Sequence, residues 1–496
     1  MPWRPSSQQF NWLALFAAAP ALVLTAQVYV TTSGIVYSLD DAYIHLALAR
    51  HILNGHYGIN PGEFSAPSSS ILWPFVLAPF TFTRWSEFLP LALNLVSILV
   101  AVWWLLRWLS DLMPPIWAFF ATTAVALSLN LYGLVLTGME NSWQVTLTIV
   151  IALSLVHGRF TLAFWTSLVV LPLLRYEGLA ISLPVLAYLV LMPGQRLMAV
   201  LAGGIIAAAV GGFSLFLYSH GHSFLPSSVF AKKGVSFMSD IGRSTAIEHN
   251  VRMQLFLVVC AAAAAVLYLH QSKYKEAVLL VGLPTLLHLT FGSYGWFGRY
   301  HIYAYAWVLI LFVAVYARTR LYQVVFLNVA LVVCLGVSSI ENIKVTLNTA
   351  SASRNIHDQQ RQMGLILRDH LDEPVAANDI GFVVLYGRHY VLDVLGLASY
   401  EALRRQADPA AGDWLGPLME AKKVEQVMIY DDWVRQKPAN WIRVATLTLP
   451  GSKVVVPFDQ VDFYSANPAA AARMRKALIE YRKGSRQAAK MLTLEP

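Results

Sequence analysis

The chain has 496 residues, 57% of them hydrophobic and only 13% charged, with 15 Trp; soluble domains carry about 25% charged residues, so this composition excludes a soluble globular enzyme and reads as a polytopic membrane protein. The formal charge of +8 suits a chain facing anionic lipid or a phosphate-bearing substrate, or one with ordinary basic cytoplasmic loops, and no nucleic-acid motif accompanies it. Cys260 and Cys334 both lie in apolar runs, which argues against a disulfide framework or a cysteine metal cluster.

An apolar stretch over 11–32 has roughly the twenty residues that cross a bilayer. It is preceded by only Arg4 and followed by many more apolar runs, so it reads as a retained anchor and not a signal peptide. In the loop over 33–86 a helical pattern runs from Asp40 to Leu53 and stops at Asn54-Gly55, and Asn60-Pro61-Gly62-Glu63 reads as a tight turn. A small polar stretch over 65–70 then leads to an apolar run over 71–82, too short to span and suited to the membrane interface. Further spans read at 87–109, 115–136, 142–157, 160–174, 178–193, 197–218, 252–270, 276–292, 302–317 and 321–340, for about eleven in all. With a cytoplasmic N-terminus, Arg107, Arg159, Arg196, Lys273, Lys275, Arg318 and Arg320 fall in inward loops, as the positive-inside tendency expects. The odd count then places the tail outside the cytoplasm, on the same side as Asp40 and Asp41.

In the tail, charge rises and strand-like runs occur at 375–378, 382–386, 427–430 and 453–458, flanked by helical stretches at 356–371 and 468–491. The expected architecture is a polytopic α-helical membrane domain over 1–340, including the 33–86 loop, followed by a C-terminal extracytoplasmic α/β domain over 341–496.

The chemistry-bearing residues gather at the predicted outward ends of spans. Adjacent carboxylates raise one another's pKa, which suits Asp40 or Asp41 to act as a base, and His45 lies four residues after Asp41 on the same helical face. The competing local explanation is capping, with Ser38 as N-cap and Asp41 at the third helical position. Glu140, Arg175 and Glu177 fall at span ends, where charges also serve as surface anchors. His220, His222, Lys232 and Lys233 lie in one outward loop, and Arg299, Tyr300 and His301 in another; such groups grip a phosphate or lipid headgroups. Asp379 and Asp393 end strand-like runs, where turn chemistry explains them first. No P-loop, nucleophile elbow, zinc-ligand pattern or dinucleotide fingerprint is present.

Several motifs, in order, resemble the GT-C glycosyltransferases that use polyprenyl-phosphate sugars, in particular the terminal arabinofuranosyltransferases of mycobacterial cell walls and their bacterial relatives. They are Asp40-Asp41-Ala42-Tyr43-Ile44 through Asn60-Pro61-Gly62-Glu63 to Ser70-Ile71-Leu72-Trp73, then Gly138-Met139-Glu140, Arg175-Tyr176-Glu177-Gly178, Leu225-Pro226-Ser227-Ser228 through Ala231-Lys232, Arg299-Tyr300, Asp379-Ile380-Gly381 and Asp393-Val394-Leu395-Gly396-Leu397. The chain departs from the family at Ser65-Ala66-Pro67-Ser68-Ser69-Ser70, where a Gly-Tyr-Thr-Ser-Pro-like run is frequent, at Tyr176 in place of proline, and at Ser227-Ser228 in place of Asn-Thr. These differences bear on the sugar and the acceptor.

The resemblance implies transfer of a sugar, with arabinofuranose the first guess, from a polyprenyl-phosphate donor to a hydroxyl of a glycan or protein acceptor. The site would lie at the outer face of the plasma membrane, in contact with membrane lipids. Asp40 or Asp41 would be the base and the other would position the acceptor or a cation; no cofactor is required, and a divalent cation held by Asp40 or Asp41 stays open. Lys232, Arg299 and Arg175 are the phosphate candidates, with Lys233 beside them, and Glu140 and Glu177 would orient sugar or basic partners. A lipid-linked sugar transporter or flippase, or a non-catalytic membrane binding protein, is the alternative; a transporter needs polar residues near the midplane of several spans.

Overall fold

The computed structural model describes residues 7–227, 240–319, 328, 336, 339–408, 412–434, 437–484 and 490–495, with 240–253 and 256 by backbone alone. The first part is helical: α1 (Ser7–Thr32), α2 (Asp41–Leu53), α3 (Trp73–Leu77), α4 (Leu89–Leu112), α5 (Pro115–Ser128), α6 (Leu131–Val135), α7 (Asn141–His157), α8 (Leu162–Leu174), α9 (Leu179–Val190), α10 (Arg196–Ser219), α11 (Asp240–His270), α12 (Leu283–Phe291) and α13 (Ile302–Ala317). Three stretches, Gln8–Thr32, Ser86–Leu112 and Arg196–Ser219, are long and apolar enough to cross a membrane, and seven further apolar helices have 10–17 residues. Eleven full spans are therefore not reached among the described residues, and the run expected at 321–340 falls largely outside them.

Two expected spans are interrupted for local reasons. The run over 115–136 breaks at Asn130, which adopts a left-handed conformation (φ 49°) between α5 and α6, a conformation asparagine tolerates better than most residues. The run over 276–292 opens on a π-helical turn, Glu276–Gly282, before α12; the Leu280 carbonyl there accepts from the Trp307 indole at 2.6 Å. Apolar side chains gain little from one another where lipid is the alternative, so buried polar pairs add the specificity. Ser97 and Thr146 hydroxyls meet at 2.8 Å between α4 and α7, and Asn94 accepts from Ser142 at 2.7 Å while donating to the Val135 and Met139 carbonyls. Asn94 thus ties the turn that precedes Glu140.

In the outer loop, α2 ends at Asn54 with Gly55 at φ 73°, and Asn60 and Glu63 bridge across Gly62 at φ 76°. The capping box is not formed. Helix α2 starts at Asp41 with Asp40 at the N-cap position, and the Ser38 hydroxyl donates instead to the Leu136 carbonyl at 3.2 Å. The run over 71–82 is α3 followed by a 3-10 turn at Ala78–Phe80, with Phe75, Phe80 and Phe82 exposed.

The tail begins with α14 (Thr349–Asp358) and α15 (Gln360–Asp369), then alternates strands and helices: β1 (Val375–Ala377), α16 (Gly381–Tyr386), β2 (Val391–Asp393), α17 (Tyr400–Ala407), α18 (Leu415–Ala421), β3 (Gln426–Ile429), β4 (Ile442–Thr448), β5 (Gln460–Ser465), α19 (Pro468–Gly484) and β6 (Leu492–Leu494). The strands form one mixed sheet in the order β2-β1-β3-β5-β4-β6, parallel across β2-β1-β3 and antiparallel thereafter. Two expected strands are absent. Residues 382–386 are helical, because the N–H groups that open α16 are held by a carboxylate from the outer loop, and tertiary contacts override the β propensity of Phe-Val-Val. Residues 453–458 pair with a side chain and not a strand: the Asn355 carbonyl oxygen accepts from Val454 and Val455 N–H at 2.7 and 3.3 Å, and Pro457 removes a ladder donor.

Candidate active site

Four segments meet at one end of the helical part: the start of α2, the turn before α7, the turn between α8 and α9, and the turn before α13. Gly138, at φ 69°, makes the approach feasible, since a Cβ there would sit 2.6 Å from the Tyr37 ring and 2.8 Å from the Ala42 Cβ. The Glu140 turn therefore lies directly on α2.

Asp41 and Arg299 form the contact at the mouth of this meeting point. Arg299 Nη2 donates to Asp41 Oδ2 at 2.5 Å; the arginine side chain is 1% exposed and the aspartate 24%. The same Nη2 donates to the Tyr300 hydroxyl at 2.8 Å, and the guanidinium lies 4.8 Å from the centre of that ring. Asp41, Ile44, His45, Pro67, Ser69 and Met139 line a small open cleft. His45 shares the cleft with Asp41, with Nδ1 3.2 Å from the Ser68 hydroxyl and Nε2 3.8 Å from the buried Glu140 carboxylate.

Behind this pair Arg175 is held by carboxylates. Its Nε and Nη2 donate to Glu177 at 3.2 and 2.8 Å, and its Nη1 donates to Glu140 at 3.0 Å and to the Ser69 hydroxyl at 3.2 Å. A fork so engaged is a poor candidate for phosphate, so Arg175 serves better as the counter-charge that keeps Glu140 and Glu177 in place. The Tyr300 ring lies 5.2 Å from this guanidinium too, between the two arginines.

Asp40, the neighbour of Asp41, turns the other way. Its Oδ2 accepts from the Gly381 N–H at 2.5 Å and its Oδ1 from the Phe382 N–H at 3.0 Å, so it caps α16 in the sheet domain. It is also hydrogen-bonded to Asp379, whose Oδ2 accepts from the Gln360 amide at 2.7 Å and the Tyr430 hydroxyl at 3.3 Å. Burial, and for Asp40 the charge of Asp379, push both carboxyls above the usual carboxylate range.

The other expected residues are placed as follows. Asp393 accepts from the Leu395 and Ala398 N–H groups at 2.9 and 2.6 Å, which is turn chemistry, and burial raises it to about 6. Asp379 is explained by its side-chain partners and not by a turn. His222 packs in an aromatic cluster, its Nε2 3.3 Å from the Phe64 carbonyl and its ring 4.4 Å from that of Tyr400. His301 is buried between the Tyr294 and Tyr305 rings. Lys232 and Lys233 lie outside the described residues.

Sequence reasoning missed Met139 and Ser69 in the cleft, Ser68 beside His45, and Gln360, Tyr430 and Gly381 around Asp40. Met139 and Gly381 carried a signal as parts of the Gly138-Met139-Glu140 and Asp379-Ile380-Gly381 motifs, and Ser68 and Ser69 lie in the run where the chain departs from the family. For the cation expected on Asp40 or Asp41, the two carboxylates serve different neighbours, and among the described residues no three of His, Cys, Asp and Glu gather as ligands.

Residues 354–465 match a family described as a domain of unknown function (DUF8728). No curated protein matches. Among solved structures, the Archaeoglobus fulgidus oligosaccharyltransferase, crystallised with Zn and sulfate, superposes over 95% of this chain and 77% of its own, at a TM-score of 0.51 and 11% identity. The two chains share an overall fold. At that identity the likeness concerns architecture: a helical membrane part carrying a C-terminal sheet domain.

Proposed function

We propose that this chain is a membrane glycosyltransferase that moves a sugar from a polyprenyl-phosphate donor to an acceptor hydroxyl at the outer membrane face. The observation that carries the reading is the Asp41–Arg299 pair at an open cleft, where a partly exposed carboxylate meets a buried guanidinium at 2.5 Å. The shared fold and the ordered motifs support the reaction class. Arabinofuranose is the sugar the resemblance favours, and a glycan or protein the acceptor.

The chemistry follows from the pair. The Arg299 guanidinium pairs with the Asp41 carboxylate. A donor phosphate competes for the same fork, to which arginine is geometrically matched. Donor binding then loosens Asp41 at the moment a base is required. The acceptor O–H proton passes to Asp41, the acceptor oxygen bonds the anomeric carbon, and the bond from that carbon to the phosphate oxygen breaks. The lipid monophosphate leaves with its added charge facing Arg299. His45, braced by Ser68 and Glu140, borders the acceptor side of the cleft.

A flippase reading draws less support. Buried polar groups within the helices, such as Asn94, Ser97, Ser142 and Thr146, satisfy one another, while the charged groups cluster at helix ends. The test is to incubate the purified protein in lipid with a panel of polyprenyl-phosphate sugars and acceptors and to measure released lipid phosphate. Release with one donor that is lost in Asp41→Asn supports transfer. Movement of the donor across the bilayer without release refutes it.

A further inference from the structure

We infer that Asp379 is a positioning residue: its hydrogen-bonded carboxyl pair with Asp40 clasps the sheet domain onto the outer loop and thereby fixes the place of Asp41. The inference assigns a task to the region matching the domain of unknown function, and its effect on turnover rests on the glycosyltransferase reading.

Two carboxyl groups in mutual hydrogen bond require a hydrogen between them, so the pair carries one proton. The remaining lone pairs are distributed evenly. Asp40 accepts from two backbone N–H groups of the sheet domain and Asp379 from the Gln360 amide and the Tyr430 hydroxyl. Removing Asp40 takes the carboxylate acceptor from two N–H groups that open α16, and a buried polar group left unpaired is expensive; removing Asp379 takes one acceptor from Gln360 and Tyr430, which still bond each other and Gln359. The Gly381 backbone lies so close that any Cβ there would strike the carbonyl and carboxyl of Asp40. Only glycine permits the approach.

The clasp is one of several contacts between the same two bodies. The Asn60 amide pairs with both backbone groups of Val391 at 2.9 and 2.8 Å, extending the free edge of β2 with a side chain. Glu63 accepts from the Tyr390 hydroxyl at 2.7 Å and from Lys422 at 2.9 Å, and Arg50 donates to the Leu385 carbonyl at 3.0 Å. Tyr43 stacks on Phe382 at 3.7 Å between ring centres. Of these contacts, Asp40 alone adjoins the cleft residue Asp41. Displacing Asp40 therefore displaces the start of α2 and the carboxylate opposite Arg299.

The proton requirement makes the inference sharp. In Asp379→Asn the amide N–H replaces the shared hydrogen and the amide oxygen still accepts from Gln360 and Tyr430. In Asp379→Ala both are lost, and Gly381→Ala pushes the clasp apart while leaving both carboxyls. The full-length protein in lipid nanodiscs would be compared across these three variants by thermal midpoint and by lipid-phosphate release. A third readout is the labelling rate of Asp41→Cys by a water-soluble thiol reagent, in a background with Cys260→Ser and Cys334→Ser. Asp379→Asn is expected to keep the midpoint and turnover within about threefold of wild type, as a replaced hydrogen bond allows. Asp379→Ala and Gly381→Ala should lower the midpoint, cut turnover by about tenfold or more and change the labelling rate, as a displaced catalytic group does. Loss of turnover in Asp379→Asn at an unchanged midpoint would overturn the inference, because Asp379 would then act through its charge. Equal midpoints and labelling rates in all three would overturn it as well. If wild type releases no lipid phosphate from any donor, the glycosyltransferase reading fails, while midpoint and labelling still decide the clasp.

Discussion

Asp40 and Asp41 are adjacent in sequence and face different partners, so on the proposed roles replacing each by asparagine should separate chemistry from stability. In Asp41→Asn the proposed base is lost while an oxygen remains to accept from Arg299. General-base assistance is worth about 10²–10⁴ in rate, or about 3–5 kcal/mol at 1.36 kcal/mol per tenfold. The stability change is small by comparison, about 1 kcal/mol, because this carboxylate is 24% exposed and water screens part of its attraction to Arg299. In Asp40→Asn one of two acceptors for the α16 N–H groups becomes a donor facing a donor. Hydrogen bonds to charged groups contribute about 1.5–3 kcal/mol, so Asp40→Asn should unfold at lower temperature and lose turnover only as far as Asp41 is misplaced. The assay pairs lipid-phosphate release at saturating donor with thermal unfolding of the same preparation. The reasoning is refuted if Asp40→Asn abolishes release at an unchanged midpoint, or if Asp41→Asn keeps more than about a tenth of wild-type turnover.

Other substitutions test the surrounding electrostatics. Arg299→Lys keeps the charge but loses the fork, and donor kcat/KM should fall about 10–100-fold, or about 1.4–2.7 kcal/mol; an unchanged donor dependence would remove Arg299 from the phosphate site. Arg175→Ala leaves the fully buried Glu140 without its counter-charge, a change worth about 3–5 kcal/mol of stability, and should appear as loss of folded protein in size-exclusion chromatography. Gly138→Ala forces a side chain into the left-handed region against the Tyr37 ring; the backbone alone costs about 1–2 kcal/mol, read as a lower thermal midpoint. Asp393, raised from 3.8 to about 6 by burial, binds its proton more tightly folded than unfolded. Its contribution to stability is therefore full below about 4 and lost as pH rises through about 6, an effect on the order of 3 kcal/mol. Acidification from pH 7 to 5 should stabilise wild type relative to Asp393→Asn, and a constant gap in midpoint would refute the assignment.

Positions of the apolar helices were legible because hydrocarbon admits few alternatives: a long apolar run without charge is a helix in lipid. What the run could not reveal was its interruption, since Asn130 and the π-helical turn at Glu276–Gly282 depend on neighbours such as the Trp307 indole. The sheet was less legible for the same reason. Strand β5 is not among the expected strands; it carries Asp462 in its middle, and Arg443 and Thr446 of β4 hold that carboxylate at 2.5 and 2.9 Å. Conversely, Phe382-Val383-Val384 reads as a strand, and a carboxylate 342 positions away from Phe382 makes it a helix.

The candidate site shows how far local geometry reaches. Successive residues on a helix point about 100° apart, so Asp40 and Asp41 at the start of α2 cannot both face one cleft, and a division of labour follows from the sequence once the helix start is known. Which of them faces the cleft does not follow, because the choice is made by Gly381 on one side and Arg299 on the other, each hundreds of positions away. The two halves depend on each other. A carboxylate that serves as base must be partly open to the acceptor, and Asp41, proposed for that role, is 24% exposed beside Arg299. A residue so placed cannot also anchor the helix on which it stands. Asp40 takes that load, buried and bonded to a second domain, and the adjacent pair lets one turn of helix be fixed and reactive at once.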